Sequence, residues 1–97
     1  MPAYVISDVT IRDAEAIEAY RTRAAASIVQ HGGRYLVRGG QVETLEGNWN
    51  PGLLIVVEFP DMERARRWYG SAEYAAALKL RDAALGHNLI LAERMQP

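Results

Sequence analysis

The sequence predicts an α+β fold in the order βαββαβ, with the second helical stretch divided in two. Two observations lead to this prediction. Four segments of strand length are rich in β-branched and other apolar residues, and the segments between them carry apolar residues at three- and four-residue steps. A chain of 97 residues has room for one small core, so a single domain covering residues 1–97 is expected.

The first strand and helix have clear boundaries. Residues Ala3–Ile11 (AYVISDVTI) are rich in β-branched residues and partly alternate, which predicts a strand. Asp13 is a good helix N-cap, and the glycines of His31-Gly32-Gly33 suit a helix end. The apolar stripe of the helix between them consists of Ile17, Tyr20, Ala24 and Ile28.

Two strands are predicted next. Residues 34–45 form a strand that is broken or bulged at Gly39-Gly40. The turn-forming segment EGNWNPG, residues 46–52, follows it. Residues Leu53–Phe59 (LLIVVEF) are almost continuously apolar, so they predict the central strand, covered on both faces.

A paired helix and a last strand complete the pattern. Asp61 caps a first helical segment and Ser71 caps a second, with Gly70-Ser71 as the interruption. Gly86 is expected to close the second segment, and residues His87–Met95 are expected to form the last strand. The apolar positions of the two segments are Met62, Ala65, Trp68 and Tyr69, then Tyr74, Ala77, Leu78 and Leu85.

This order of elements is that of a ferredoxin-like domain, a four-stranded antiparallel sheet with its helices on one face. Because the strands carry apolar residues on both sides, the other face needs a cover. The simplest cover is a second copy of the chain related by a two-fold axis, so a homodimer is expected, with an interior enclosed between the two sheets.

Composition excludes several classes of protein. The formal net charge is −1, with 11 basic and 12 acidic residues, which gives no electrostatic footprint for nucleic acid or an anionic membrane. Without cysteine there are no disulfides or thiolate metal sites, and no metal site or cofactor is predicted. The amino terminus has no signal-like pattern, so a cytoplasmic location is the simplest expectation.

Three segments together resemble a known family. RYLVRGG (34–40), VVEFPD (56–61) and WYGSAEY (68–74), in this order and spacing, resemble an uncharacterised bacterial family catalogued as domain of unknown function thirteen-thirty. The resemblance covers nearly the whole chain. It implies a dimeric α/β-barrel, a fold shared with small cofactor-free monooxygenases, muconolactone isomerase-like enzymes and haem-degrading proteins, but it implies no established reaction.

Arg38 and Glu58 are the candidate catalytic residues. If Leu54, Val56 and Glu58 face the barrel interior while the alternate residues pack under the helices, Arg38 and Glu58 could meet there. One interpretation makes Arg38 an anchor for a carboxylate or enolate, with Gly39 and Gly40 allowing a ligand close to the backbone. The other is a structural ion pair beside a glycine bulge. Asp8, in phase on the first strand, could join either arrangement.

Further candidate ligand-binding residues lie outside the strands. Trp49 could close a cavity or contact a second subunit. Tyr69 and Tyr74 could line the site or simply bury their rings. Arg81 could pair with Glu73 or another acid, or give a pocket a positive rim.

Both histidines, His31 and His87, fall at predicted junctions between helix and strand. They could carry protons near neutral pH, but histidines at such junctions are more often surface residues.

The sequence leaves two functions open. One is the binding of a small organic acid or aromatic metabolite, with cofactor-free proton transfer or oxygenation. The other is a non-catalytic ligand-binding or interaction module with a structural Arg–Glu pair.

Overall fold

The computed structural model describes residues 1–96 and confirms the predicted ferredoxin-like order of strands and helices. The seven elements are β1 (Ala3–Ile11), α1 (Ala14–Gln30), β2 (Arg34–Arg38), β3 (Leu53–Phe59), α2 (Met62–Tyr69), α3 (Ala72–Ala84) and β4 (Leu85–Glu93).

The four strands form one antiparallel sheet in the order β2-β3-β1-β4. The two inner strands are β3, which the sequence predicts at the centre of the sheet, and β1. Strand β1 lies between β3 and β4, so that Val5 is opposite both Val57 and Leu91. Alternation along β1 is regular: every second residue from Ala3 to Val9 is buried. This period of two defines a helix-side face and an open face.

The core lies between the helix-side face and the three helices. Val57 and Phe59 of β3 pack there with Ile28 of α1, Trp68 of α2 and Tyr74 of α3. The indole N–H of Trp68 donates a hydrogen bond of 2.9 Å to Ser27 Oγ, so the polar atom of this buried ring is satisfied. The faces expected for the last residues of β3 are therefore confirmed.

The predicted capping residues are confirmed at all three helix starts. Asp13 accepts hydrogen bonds from the backbone N–H groups of Glu15 and Ala16, which fixes the start of α1. Asp61 and Ser71 do the same for α2 and α3. Helix α1 ends at His31-Gly32-Gly33, where Gly32 has a positive φ of 83° that a residue with a side chain rarely adopts.

The boundary between α3 and β4 differs from the prediction. Helix α3 ends at Ala84 and the strand begins at once with Leu85, two residues before the expected start, so Gly86 lies inside β4 rather than closing the helix. Leu85 is buried in a second core cluster with Val9 and Ile17, which holds the chain extended there. At Gly86 a Cβ would lie 3.0 Å from the Arg12 guanidinium, so the glycine makes room for that side chain.

Strand β2 is shorter than predicted, and its irregularity lies elsewhere. It ends at Arg38 rather than Leu45, and the bulge is at Leu36 rather than at the glycines. Tyr35 is opposite Val57 and Val37 is opposite Val56, so Leu36 is an extra residue in the ladder. The residues after Leu36 consequently point to the opposite face from that expected.

The open face of the sheet is apolar at its centre. Ile6 of β1 is flanked there by Val56 of β3 and Ile90 of β4, and Ile90 is 59% exposed. In the next row Asp8 is flanked by Leu54 and Asn88. Among residues 1–96, no helix has both the length and the apolar character needed to cross a membrane.

Candidate functional site

A cavity of about 480 Å³ lies between the helix-side face of the sheet and the helices. This volume falls within the roughly 300–1,000 Å³ typical of small-molecule sites. This cavity lies inside one subunit, whereas the sequence suggested an interior between two sheets. Side chains from all four strands and all three helices contribute to its wall.

One row of paired residues crosses the sheet beneath the cavity. It runs from Arg38 on β2 through Ile55 and Ser7 to Leu89 on β4. Ser7 is buried and contributes a hydroxyl to a largely apolar surface. The two edge strands are three strand spacings, or about 14 Å, apart, so the cavity extends across the sheet from β2 to β4.

Arg38 marks the β2 end of the cavity. Its guanidinium lies over the ring of Tyr35, with Cζ 4.3 Å from the ring centroid, in the geometry of a cation–π contact. Burial raises the pKa of Tyr35, and the positive charge of Arg38 opposes that rise. Gly39 follows with a φ of 74° and also lines the cavity, while a Cβ there would lie 2.8 Å from Leu53. The backbone therefore leaves the strand close to the cavity.

The predicted pairing of Arg38 with Glu58 is wrong. Glu58 instead forms an ion pair with Arg34, in which Oε1 accepts a hydrogen bond of 2.9 Å from Nε and lies 2.8 Å from Nη2. Arg34 is directly opposite Glu58 on the open face. Because the extra residue Leu36 lies between the two arginines, Arg38 points to the helix side while Arg34 and Glu58 point away from it.

His87 lies at the β4 end of the cavity, on the same face as Leu89 and opposite Val9. Burial lowers the pKa of His87, and the positive charge of Arg81 lowers it further, while Asp82 opposes both effects. The ring is therefore held neutral at neutral pH, with nitrogen lone-pair basicity available to a ligand. The sequence predicts His87 as the first residue of the strand, at a solvated junction; in the structure it is the third residue of β4 and is partly buried.

The other histidine, His31, does not line this cavity. It caps α1, and its Nε2 lies 3.0 Å from Oε1 of Glu73 in the first turn of α3. This contact joins the end of α1 to the start of α3. Glu73 is thereby engaged by His31 and not by Arg81, one of the partners that the sequence allowed.

Two tyrosine hydroxyls lie at the helix side of the cavity. Tyr20 of α1 and Tyr74 of α3 are hydrogen-bonded to each other, with 3.1 Å between their oxygens. Burial raises the pKa of both phenols; their mutual hydrogen bond opposes the rise at Tyr20 and adds to it at Tyr74. Arg81 lies near enough for its charge to oppose both rises.

A second, more polar depression adjoins the first at His87 and has a volume of about 430 Å³. Arg12, Tyr69 and Arg81 line it. Arg12 donates to the carbonyl of Asp82, and Nε of Arg81 lies 3.3 Å from the Asp82 carboxylate. Arg81 thus pairs with another acid, Asp82, and also lines a pocket rim, so both roles that the sequence allowed are found.

The remaining candidates lie away from the cavity. Asp8 is on the open face and accepts a hydrogen bond of 2.9 Å from the indole N–H of Trp49. Trp49 is 60% exposed, so it covers part of the open face rather than closing the cavity. A Cβ added to Gly40 would meet no atom within 4 Å beyond its chain neighbours, so close packing does not explain a glycine there.

Sequence reasoning missed Tyr20, Tyr35 and Ser7 as site residues, and it treated His87 as a surface residue. A signal for His87 is present, since it alternates in phase with Leu89 and Leu91 within the predicted strand. The sequence assigns Tyr20 to the apolar stripe of α1, and nothing in that pattern shows that its hydroxyl meets Tyr74. Within residues 1–96, no group of three or more histidine or acidic side chains is placed to hold a metal ion.

Fold and cavity together define the class: a small ferredoxin-like α+β domain with an internal pocket between its sheet and its helices. Within this class the chain belongs to the family described as Domain of unknown function (DUF1330), whose model matches residues 2–95.

Solved structures support the same fold. A protein of unknown function from Rhodopseudomonas palustris is 22% identical with a TM-score of 0.79, over 99% of this chain and 84% of that one. SnoaB, a cofactor-independent oxygenase from Streptomyces nogalater, is 14% identical with a TM-score of 0.67, over 99% and 95%.

A third similar structure is a dimeric ferredoxin-like protein of unknown function from Thermobifida fusca. It is 15% identical with a TM-score of 0.63, over 94% of this chain and 89% of that one. At these identities the likeness concerns the fold. No curated protein matches the chain.

Proposed function

We propose that the internal cavity binds a small aromatic or conjugated organic acid and that His87 transfers a proton to and from it without a cofactor. The observation that supports this most strongly is the composition of the cavity: a largely apolar pocket with a cation, Arg38, at one end and a neutral imidazole, His87, at the other. Small-molecule sites commonly combine an apolar wall with a few polar groups of this kind.

Arg38 is suited to hold the acid group. The ion pairs among residues 1–96 give Arg38 no carboxylate partner, since Glu58 is engaged by Arg34. Its guanidinium is oriented by the ring of Tyr35, which leaves hydrogen-bond donors for a ligand carboxylate. A flat apolar group attached to that carboxylate would extend over Ile55 and Ser7 toward β4.

His87 is suited to act as a general base. Because its pKa is lowered, the ring is unprotonated at neutral pH and can accept a proton from an acidic C–H group of the ligand. The resulting carbanion can be reprotonated at another carbon, which is an isomerisation, or it can react with O2 as a co-substrate, which is an oxygenation. The similar SnoaB structure is described as a cofactor-independent oxygenase, which lends support to the second outcome.

We also propose that the protein is a homodimer joined through the open face of its sheet. An apolar centre around Ile6, Val56 and Ile90 would be covered by the same surface of a second copy. Trp49, held over this face by Asp8, would add a contact, and the similar Thermobifida fusca protein is described as dimeric.

Ligand binding without catalysis is the second candidate. The Arg34–Glu58 pair favours it, because this pair lies on the open face, outside the cavity, and serves as a structural or interface contact. Under this alternative the cavity binds the same acids, but His87 exchanges no protons with them.

A ligand screen tests the proposal. Thermal melts against a library of aromatic and conjugated acids should identify compounds that stabilise the wild type. Arg38→Ala should abolish this stabilisation and leave the melting temperature of the free protein nearly unchanged. Arg66→Ala, which removes an exposed arginine of α2, is the matched control and should behave as wild type.

Proton transfer is tested with the compounds that bind. In D2O, NMR should show the protein exchanging an acidic C–H of the bound acid for deuterium, and His87→Gln should lose this exchange while it retains binding. If the wild type binds the acid but does not exchange its C–H, the second candidate, ligand binding without catalysis, is supported. Equal stabilisation of wild type and Arg38→Ala would contradict the proposed binding mode.

A further inference from the structure

The hydroxyl groups of Tyr20 and Tyr74 are hydrogen-bonded to each other, and both residues line the cavity on its helix side. Tyr74 is only 1% exposed, and its ring stacks against Trp68 with 4.3 Å between the centroids. Tyr20 comes from a different helix, α1, and is partly buried. The two oxygens are therefore held at a fixed place by the core.

The two hydroxyl groups carry one hydrogen that is not used in the bond between them. Each phenol carries one O–H, and the bond between Tyr20 and Tyr74 uses one of the two. The hydrogen bonds described for residues 1–96 give neither hydroxyl a second partner. Leaving a donor without an acceptor in a mostly buried site costs free energy, so the remaining hydrogen is available to an acceptor in the cavity.

The surroundings keep both phenols in the donor form. Burial raises the pKa of Tyr20 and of Tyr74, so both remain protonated at neutral pH. The nearby charge of Arg81 favours negative charge in the same region. A protonated donor pair beside a cation is an arrangement that stabilises an oxyanion in a water-poor site.

We infer that Tyr20 and Tyr74 donate a hydrogen bond to a substrate oxygen that becomes negative during the reaction, so the substrate is a carbonyl compound that forms an enolate. This inference rests on the proposed function of His87. A ring nitrogen of His87 takes the proton from the carbon next to the carbonyl, and the C–H electron pair moves onto the carbonyl oxygen. The imidazolium then returns the proton to carbon, which restores the carbonyl and the neutral ring.

A stable anion can replace the enolate in a binding test. The probe is 4-nitrophenolate, at a pH at which free 4-nitrophenol is ionised, and its neutral counterpart is 4-nitroanisole, which has the same ring but no ionisable oxygen. Affinities are measured by NMR titration of the full chain for the wild type, Tyr20→Phe and Tyr74→Phe. Tyr4→Phe, on the open face of the sheet, is the matched control.

At least one of the two cavity variants should weaken binding of 4-nitrophenolate by about tenfold or more, the typical effect of one hydrogen bond to a charged group, because one of the two phenols donates to the ligand. Binding of 4-nitroanisole should be unchanged in both, and Tyr4→Phe should bind both probes as the wild type does. Equal losses for the two probes would overturn the inference, because they would show a loss of shape only. Unchanged phenolate binding in both cavity variants would overturn it as well.

The outcomes for the inference and for the proposed function are distinguishable. If the wild type binds neither probe, organic binding in the cavity fails and the donor pair fails with it. If the probes behave as expected but no bound acid exchanges its C–H with D2O, the donor pair stands and proton transfer by His87 fails.

Discussion

Similar side chains have different environments on the two faces of the sheet, and the five residues of β2 contain an example. Arg34 lies on the open face and forms a surface ion pair with Glu58, whereas Arg38 lies on the helix-side face over Tyr35 at the end of a cavity. Only the bulge at Leu36 separates the two environments. A single extra residue thus decides which arginine is available to a ligand.

The two tryptophans give the largest expected difference between the faces. Trp68 is 3% exposed on the helix side, and Trp68→Ala should lower the free energy of unfolding by about 3–5 kcal/mol because it leaves a cavity in the core. Trp49→Ala on the open face should cost the folded monomer less than about 1 kcal/mol. Chemical denaturation of both variants measures these values. Similar losses would contradict the assignment of the core to one face.

Association through the open face is the next comparison. Ile90→Asp should weaken self-association at least ~100-fold, because each subunit would bring an unpaired carboxylate into the apolar centre. Val29→Asp is the control, since Val29 is 70% exposed on α1. Light scattering at micromolar concentration should report a dimer for the wild type and the control, and a monomer for Ile90→Asp. A dimeric Ile90→Asp would place the interface elsewhere.

The pH dependence of stability gives the smallest effect. Because the pKa of His87 is lowered on folding, the folded state binds fewer protons than the unfolded state below the ordinary histidine pKa of about 6.5. The contribution of His87 is therefore complete above that pH and is lost as the pH falls through its lowered pKa. Urea denaturation at a series of pH values from neutral downward should show a steeper loss of unfolding free energy for the wild type than for His87→Gln. The same pH dependence in both proteins would show that the His87 ring is solvated.

Much of the fold follows from local signals in the sequence. Asp13, Asp61 and Ser71 cap the helices because an acceptor side chain satisfies free backbone N–H groups, an effect that operates within a few residues. Alternation along β1 likewise fixes its buried face without reference to distant residues.

The site could be predicted only in part, because it depends on register between distant strands. The sequence identifies Arg38 as a residue that needs a partner, but its face depends on the bulge at Leu36, which exists only when β2 is paired with β3. The Tyr20–Tyr74 contact joins residues 54 apart in sequence, and the periodicity of either helix contains no sign of it. The start of β4 is predicted two residues late because Gly86 resembles a helix end, so His87 is expected at a solvated junction rather than inside the strand.

The location of the bound ligand distinguishes the helix-side cavity from an interior between two sheets. Backbone amide NMR spectra should be recorded with and without an aromatic acid identified in the screen. We expect shift changes at the helix-side cavity, at Ser7, Arg38, Gly39 and His87. Changes confined to Ile6, Asp8 and Ile90 on the open face would contradict it, and would place the ligand between two sheets.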